Sequence, residues 1–199
     1  MRELIKMVVV LTLLTTVSGG LLAGVRAATK DRIELQELNF VKGPVLKMIF
    51  KNASNDMIAD RFTVKDGKNE VTVFPVVADG KVRYVAFASS GKGFGGDIGV
   101  MVGVDVETGK IYGAGVTTHS ETPGIGSRAK SEPELVNSRF AGLPIEQEFK
   151  VKKDGGQIDA ISGATYTSRG LCDAVTNAGK LYSKLEPIIK KKIENLHSS

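Results

Sequence analysis

Cysteine is nearly missing. Cys172 is the single one in 199 residues, which excludes an intramolecular disulfide and a thiolate metal cage. Histidine is almost as scarce, and His119 and His197 stand far apart in the chain, so the usual imidazole ligands of a protein metal site are not gathered anywhere. Tryptophan is absent and aromatics make up 6% of the chain, which leaves few platforms for stacking single-stranded nucleic acid. A large charge of one sign is lacking too. Beyond residue 26, 24 Lys and Arg face 21 Asp and Glu, a net of +3, and the only dense basic run is Lys190 to Lys192. That pattern speaks against nucleic acid; three lysines late in a helix read as a solvated end that suits the helix dipole. No solenoid repeat is visible, and the only low-complexity stretch is the glycine-rich "GKGFGGDIG" from Gly91 to Gly99.

What the chain does have begins at its N-terminus. Met7 to Val25 runs nineteen residues without a charge. As a helix it would extend roughly 28 Å at about 1.5 Å per residue, close to the hydrocarbon core of a bilayer. A cleaved signal peptide would have a shorter apolar stretch and would end in small residues, but this one leaves through Val25-Arg26-Ala27. An uncleaved single span is therefore expected over residues 1–27. Arg2 and Lys6 before it oppose Arg26, Lys30 and Arg32 after it, so flanking charge does not set its orientation.

Residues 28–68 read as a helical linker region, with apolar Ile33, Leu35, Leu38, Phe40 and Val41, a break at Gly43-Pro44, and a short segment from about Val45 to Phe50. From Glu70 the texture turns to β: "EVTVFPVV", "KVRYVAFASS", "DIGVMVGVDV" and "KIYGAGVTTH" are rich in Val, Ile, Tyr and Phe, with turn signals at Asp79-Gly80 and Thr108-Gly109. Hairpin-length connections imply an antiparallel sheet, and helices at both ends make the class α+β, an antiparallel sheet flanked by helices with one N-terminal transmembrane helix. Residues 69–199 form the expected main domain. Its last helix is signalled by Leu171, Ala174, Val175, Ala178, Leu181, Tyr182 and Leu185 at helical spacing, and Pro187 is expected to end or kink it.

Two polar segments draw attention. "SGAT", Ser162 to Thr165, stands at the start of that last helix, where free N–H groups and the positive dipole end favour an anion such as phosphate; a plain N-cap by Thr165 or Thr167 is the alternative. "HSETPGIGSRA", His119 to Ala129, collects an imidazole, a carboxylate and hydroxyls at a strand end, around a Pro-Gly turn. Ser162, His119 and Asp159 could in principle form a hydrolase triad, but Asp159-Ala160-Ile161 precedes the serine and the G-x-S-x-G elbow is missing. "GKGFGG" lacks the Lys-Ser/Thr ending of a Walker A loop and leads into a strand, so it is not a Rossmann fingerprint either. Cys172 reads as a small buried hydrophobe.

Taken together, "GKGFGGDIGVMVGVD", "HSETPGIG" and "DAISGATYTS" resemble, in order and spacing, the FMN-binding domain of the RnfG/NqrC family, whose members serve the Rnf electron-transport complex and the related sodium-translocating NADH:quinone reductase. The resemblance covers about residues 5 to 185 and includes Asp159, three residues before Ser162; Ile125 stands where leucine is common. It implies FMN joined through its phosphate to Thr165 by a separate flavin transferase, in a single-pass inner-membrane protein whose FMN domain is extracytoplasmic. It also implies an electron-carrying role, not catalytic by itself, beside the other membrane and redox subunits of an ion-translocating ferredoxin:NAD oxidoreductase. The expected FMN site comprises Thr165 with Ser162, Gly163, Ala164 and Thr167, and a ring pocket of His119, Glu121, Thr122, Gly124, Ile125 and Gly126, edged by Gly93 to Gly95. The quinone-reductase member of the family, and an anchored module holding a phosphate ligand noncovalently, remain as alternatives.

Overall fold

Five runs of β-branched and aromatic residues zip into one antiparallel meander in the computed structural model, which describes residues 1–67 and 69–197. Lys68, Ser198 and Ser199, at the ends of the expected 28–68 and 69–199 segments, lie outside the described residues. The strands are β1 (Phe62–Asp66), β2 (Asn69–Ala78), β3 (Lys81–Lys92), β4 (Asp97–Asp105) and β5 (Ile111–Thr118), in spatial order 1-2-3-4-5. β1 precedes the first strand that the sequence pattern marks. It is short and carries charge, but Phe62 and Val64 pair with Val73 and Val71, and that apolar match gives it a place at the sheet edge.

Internal packing divides the chain at Phe40. The first unit holds helix α1 (Arg2–Glu37), in which none of the residues is buried, and the winding from Arg2 to Ile49 contains a stretch long and apolar enough to cross a membrane. The expected break at Gly43-Pro44 does not occur. Winding continues through a π-helical turn, Leu38–Lys42, into α2 (Gly43–Ile49). Pro44 falls in the first turn of α2, where its missing N–H costs least, and the wider turn before it relieves the clash of its ring with a preceding carbonyl.

In the second unit the two sheet faces are covered by different helices. Val85, Phe87, Val100, Val102 and Val104 face the long C-terminal helix α5 (Thr165–His197), whose Leu171, Ala174, Val175, Ala178, Tyr182 and Leu185 are buried in the same core. On the opposite face Gly103, Gly113 and Gly115 leave room for Phe50, Ile49 and Val45 of the α2 region. α3 (Arg128–Ser131) and α4 (Glu134–Phe140) follow β5, and the Asn137 side chain of α4 accepts a hydrogen bond from Ala114 N–H at 3.2 Å on the strand's outer edge. Pro187 neither ends α5 nor stops its apolar stripe, since Ile189 and Ile193 stay buried beyond it as Leu185 does before it. The basic run is not merely solvated either: Lys192 donates to the Thr63 carbonyl at 2.6 Å and lies over the Phe62 ring, masking the β1 edge.

α5 can start where it does because of two close approaches. A Cβ on Gly91 would collide with the Gly170 carbonyl and Ala174 N, and one on Gly170 would lie 2.6 Å from the Lys92 carbonyl. Those two glycines let the first turns of α5 cross the end of β3, so the helix N-terminus arrives beside the β3–β4 loop and the segment after β5.

Candidate functional site

The turn before α5 is fixed by a single hydroxyl. Ser168 accepts from Ile161 N–H at 2.8 Å and donates to the Ala164 carbonyl at 2.9 Å, while Ala164 N–H returns to the Ile161 carbonyl at 2.9 Å. Ile161 and Ala164 point inward and are buried; Asp159, Ser162 and Gly163 face out. Gly163 sits at φ +77°, where any side chain would be strained. Thr165 opens the helix half-buried, and its hydroxyl has no hydrogen-bond partner among the described residues. The N-cap alternative does not hold for Thr167. It lies inside the helix, 2% exposed, and donates its hydroxyl proton to Glu121 Oε2.

Glu121 is the centre of the arrangement. Its carboxylate is 6% exposed; Oε2 accepts from Thr167 and Oε1 accepts from Gly95 N–H at 2.9 Å. One side chain thus ties the segment after β5 to the β3–β4 loop and to the first turn of α5. Gly126 completes the junction, because a Cβ there would lie 2.6 Å from Thr167 Oγ1 and 2.8 Å from Glu121 Oε2.

Around this junction opens a cavity of about 480 Å³, within the range of small-molecule and cofactor sites. It is lined by eight of the residues expected from the sequence: Glu121, Thr122, Ile125, Gly126, Gly163, Ala164, Thr165 and Thr167. Four expected residues do not line it. Ser162 is exposed beside it; His119 caps its own turn, its Nδ1 accepting from Glu121 N–H at 3.2 Å. Gly124, at φ +71°, donates to Ser127 Oγ at 2.9 Å, and Gly95 serves only through its N–H to Glu121. No hydrogen bond joins Ser162, His119 and Asp159 among the described residues, and Asp159 pairs with Lys152 at 2.8 Å, so there is no hydrolase triad.

Four further residues line the cavity: Lys153 and Arg169, which sequence reasoning did not reach, Phe94, which falls within the expected Gly93 to Gly95 edge without a role of its own, and Tyr166, which the sequence offered only as one hydroxyl beside Thr165. Arg169 forms a bidentate pair with Asp154 at 2.7 and 2.8 Å, and those hydrogen bonds hold the Asp154 carboxyl below the ordinary carboxylate range and push the guanidinium higher still. The helical spacing of Thr165 and Arg169 and the aromatic set between glycines at Phe94 were the signals available for them. Cys172 is buried on α5, and burial pushes its thiol up to about 12. Chemically the cavity offers a free hydroxyl at a helix N-terminus, the Lys153 ammonium, an Arg169 guanidinium already paired with Asp154, and apolar wall, which suits a ligand with a phosphate at one end and a flat ring at the other.

Residues 93–180 match the FMN-binding domain family. The G subunit of the ion-translocating oxidoreductase complex from Stutzerimonas stutzeri is 36% identical over 142 residues, which cover 67% of this chain and 61% of the relative. The protein of that name from Escherichia coli strain K12 is 33% identical over 188 residues, covering 90% of each chain. Among solved structures, NqrC of Shewanella oneidensis superimposes with a TM-score of 0.50 at 29% identity, over 71% of this chain and 73% of that one.

Proposed function

This chain belongs to the family of G subunits of the ion-translocating oxidoreductase complexes, and on that premise we propose that it is a membrane-anchored electron carrier with FMN esterified to Thr165. The observation that carries the reading is the Thr165 hydroxyl, half-buried, unengaged, and on the wall of the 480 Å³ cavity at the N-terminus of a 33-residue helix. The residues present fit the group: Thr165 lines the cavity with the side-chain-free Gly126 and Gly163, and Phe94, Ile125, Ala164 and Tyr166 supply apolar and aromatic wall. Bound there, FMN would supply reversible electron uptake and release.

The chain's own residues support attachment by another enzyme. A threonine hydroxyl is a weak nucleophile, and the only carboxylate on the cavity wall, Glu121, has both oxygens engaged elsewhere. Ester formation therefore needs a flavin transferase and a donor activated as a phosphoric anhydride. The Thr165 Oγ–P bond forms as the anhydride P–O bond breaks, the displaced phosphate monoester departs with that bond's electron pair, and the hydroxyl proton leaves through the transferase. Asp159, Ser162 and Gly163 face outward on a turn anchored by Ile161 and Ala164, as a segment read by a second protein requires.

Within the complex the partners would be the other membrane and redox subunits, with ferredoxin and NAD as substrates of the assembly and the FMN domain extracytoplasmic. The similarity to NqrC favours, as second reading, a place in a quinone reductase with the same carrier chemistry. Mass spectrometry of the Thr165 peptide, from protein made with and without a flavin transferase, tests the proposal. A mass increase equal to FMN less water, lost in Thr165→Ala, is expected; flavin fully extractable by acid would refute it.

A further inference from the structure

Turned away from the sheet, the C-terminal half of α5 carries a run of positive charge. Lys180, Lys184 and Lys191 are exposed, and none of the three has a hydrogen-bond or ion-pair partner among the described residues. At helical spacing they share one ridge with Pro187 and Ile188, on the side away from buried Tyr182, Ile189 and Ile193, and Ile188 is 45% exposed in their midst. Nearby carboxylates do not cancel this charge. Asp97, Glu148 and Asp173 share a groove with Lys180 at the start of the ridge, where Lys92 and Lys150 answer two of them. Farther on, Glu186 is spent on Lys190 at 2.8 Å, and Glu194 is not free either. Lys192 is turned to the Thr63 carbonyl and the Phe62 ring and stands apart from the ridge.

We propose that this ridge docks on anionic phospholipid headgroups of the bilayer that α1 spans, a step beyond the flavin reading that rests only on the membrane anchor. Composition selects lipid over protein. Protein interfaces deplete lysine and draw on arginine and aromatic anchors, and the ridge has neither. A lysine ammonium is a hydrated point charge on a flexible stem, able to follow mobile headgroups, while Ile188 can enter the boundary between headgroup and acyl chain. Anchoring makes a weak attraction sufficient, because a tethered domain is held at high effective concentration near the surface. Each lysine near an anionic surface shifts the docking equilibrium about fivefold, so three shift it on the order of a hundredfold.

Thr165 opens the same helix about four turns before Lys180, so seating the ridge limits the directions in which the cavity can face its neighbours. None of the three lysines lines that cavity, and the Thr165 reading stands or falls separately.

The test uses the full chain reconstituted into vesicles of phosphatidylcholine, with or without phosphatidylglycerol, and each with a fraction of nitroxide-labelled headgroups. Ile188→Cys carries a maleimide fluorophore, and Cys172, being buried, stays unlabelled. Quenching of the dye by the nitroxide lipid is expected to be about twofold or more stronger with phosphatidylglycerol at about 0.1 M salt, and the difference to vanish at about 1 M, where the Debye length falls to about 3 Å. Joint replacement Lys180→Gln, Lys184→Gln and Lys191→Gln should abolish the difference, and Lys180→Arg, Lys184→Arg and Lys191→Arg together should keep it; thermal unfolding checks that every form is folded. Equal quenching in both lipids would overturn the proposal by making the apolar contact of position 188 the cause. A difference that survives the glutamine replacements would overturn it by placing the attraction elsewhere on the domain. Absence of quenching in every vesicle would overturn it too, leaving the ridge to a protein partner or to solvent.

Discussion

Replacing Glu121 by alanine removes both acceptors that join three segments of the site. Gly95 N–H and the Thr167 hydroxyl would each lose a partner, in a place where the carboxylate is 6% exposed. Leaving a buried donor unsatisfied costs about 1–3 kcal/mol, so the two together set an expected loss of roughly 2–6 kcal/mol. For a domain of this size each kcal/mol lowers the midpoint by about 2–4 °C, giving a fall on the order of 10 °C. Glu121→Gln separates hydrogen bonding from charge. Its amide oxygen can still accept from Gly95 and its amide nitrogen can donate to Thr167 Oγ1, so it should cost less than about 1.5 kcal/mol. Thermal unfolding of the full chain in detergent, followed by circular dichroism, measures all three proteins. An alanine variant within about 1 kcal/mol of wild type would show that the carboxylate does not hold the site, and a glutamine variant as damaged as alanine would show that charge matters more than the paired acceptors.

Gly126→Ala should wedge Thr167 from Glu121, since its Cβ would lie 2.6 and 2.8 Å from their oxygens; overpacking of this kind costs about 1–3 kcal/mol by the same unfolding assay, and wild-type stability would contradict the geometry. Cys172, its thiol raised to about 12 by burial, should resist a thiol reagent at about pH 8 in the folded chain and react fully in urea; rapid labelling of the folded protein would place it at the surface. The Arg169–Asp154 pair depresses the Asp154 pKa on folding, so its stabilising effect is present above the unfolded value of about 3.9 and is lost as pH falls through the lower folded value. The difference in midpoint between wild type and Asp154→Asn should hold steady above about pH 5 and shrink towards pH 2, and a difference unchanged on acidification would argue that the pair does not form.

Those elements were legible in the sequence whose periodicity spans enough residues to average out exceptions. The four β2–β5 runs and the stripe Leu171, Ala174, Val175, Ala178 are cases, because burial on one face repeats its demand every two or every three to four residues. β1 escaped since five residues with two charges carry little pattern; its place depends on Phe62 meeting Val73 across the sheet, a partner the local stretch cannot show. Neither the expected break at Pro44 nor an end of the helix at Pro187 occurs, and for one reason. A proline's effect on a helix is decided by what the neighbouring turns can do, and here a π-helical turn before Pro44 and buried Ile189 and Ile193 after Pro187 outweigh its local cost.

The site divides along the same line between local and long-range causes. "SGAT" at a helix start is a local signal, and the chain places Thr165 where that signal does. "ETPGIG" marked a segment that lines the cavity but not what its glutamate does. From sequence, a carboxylate beside a Pro-Gly turn reads as a ring contact; in the fold it faces inward, because Gly95 and Thr167, 26 and 46 residues away, bring it two donors at once. A buried carboxylate is tolerated only when such donors are supplied, and their supply depends on Gly91 and Gly170 letting α5 cross β3. The rings of Phe94 and Tyr166 were given no part of their own for the converse reason: exposed aromatics look incidental one at a time, and only the crossing that sets Glu121 in place also brings the two rings to the same rim.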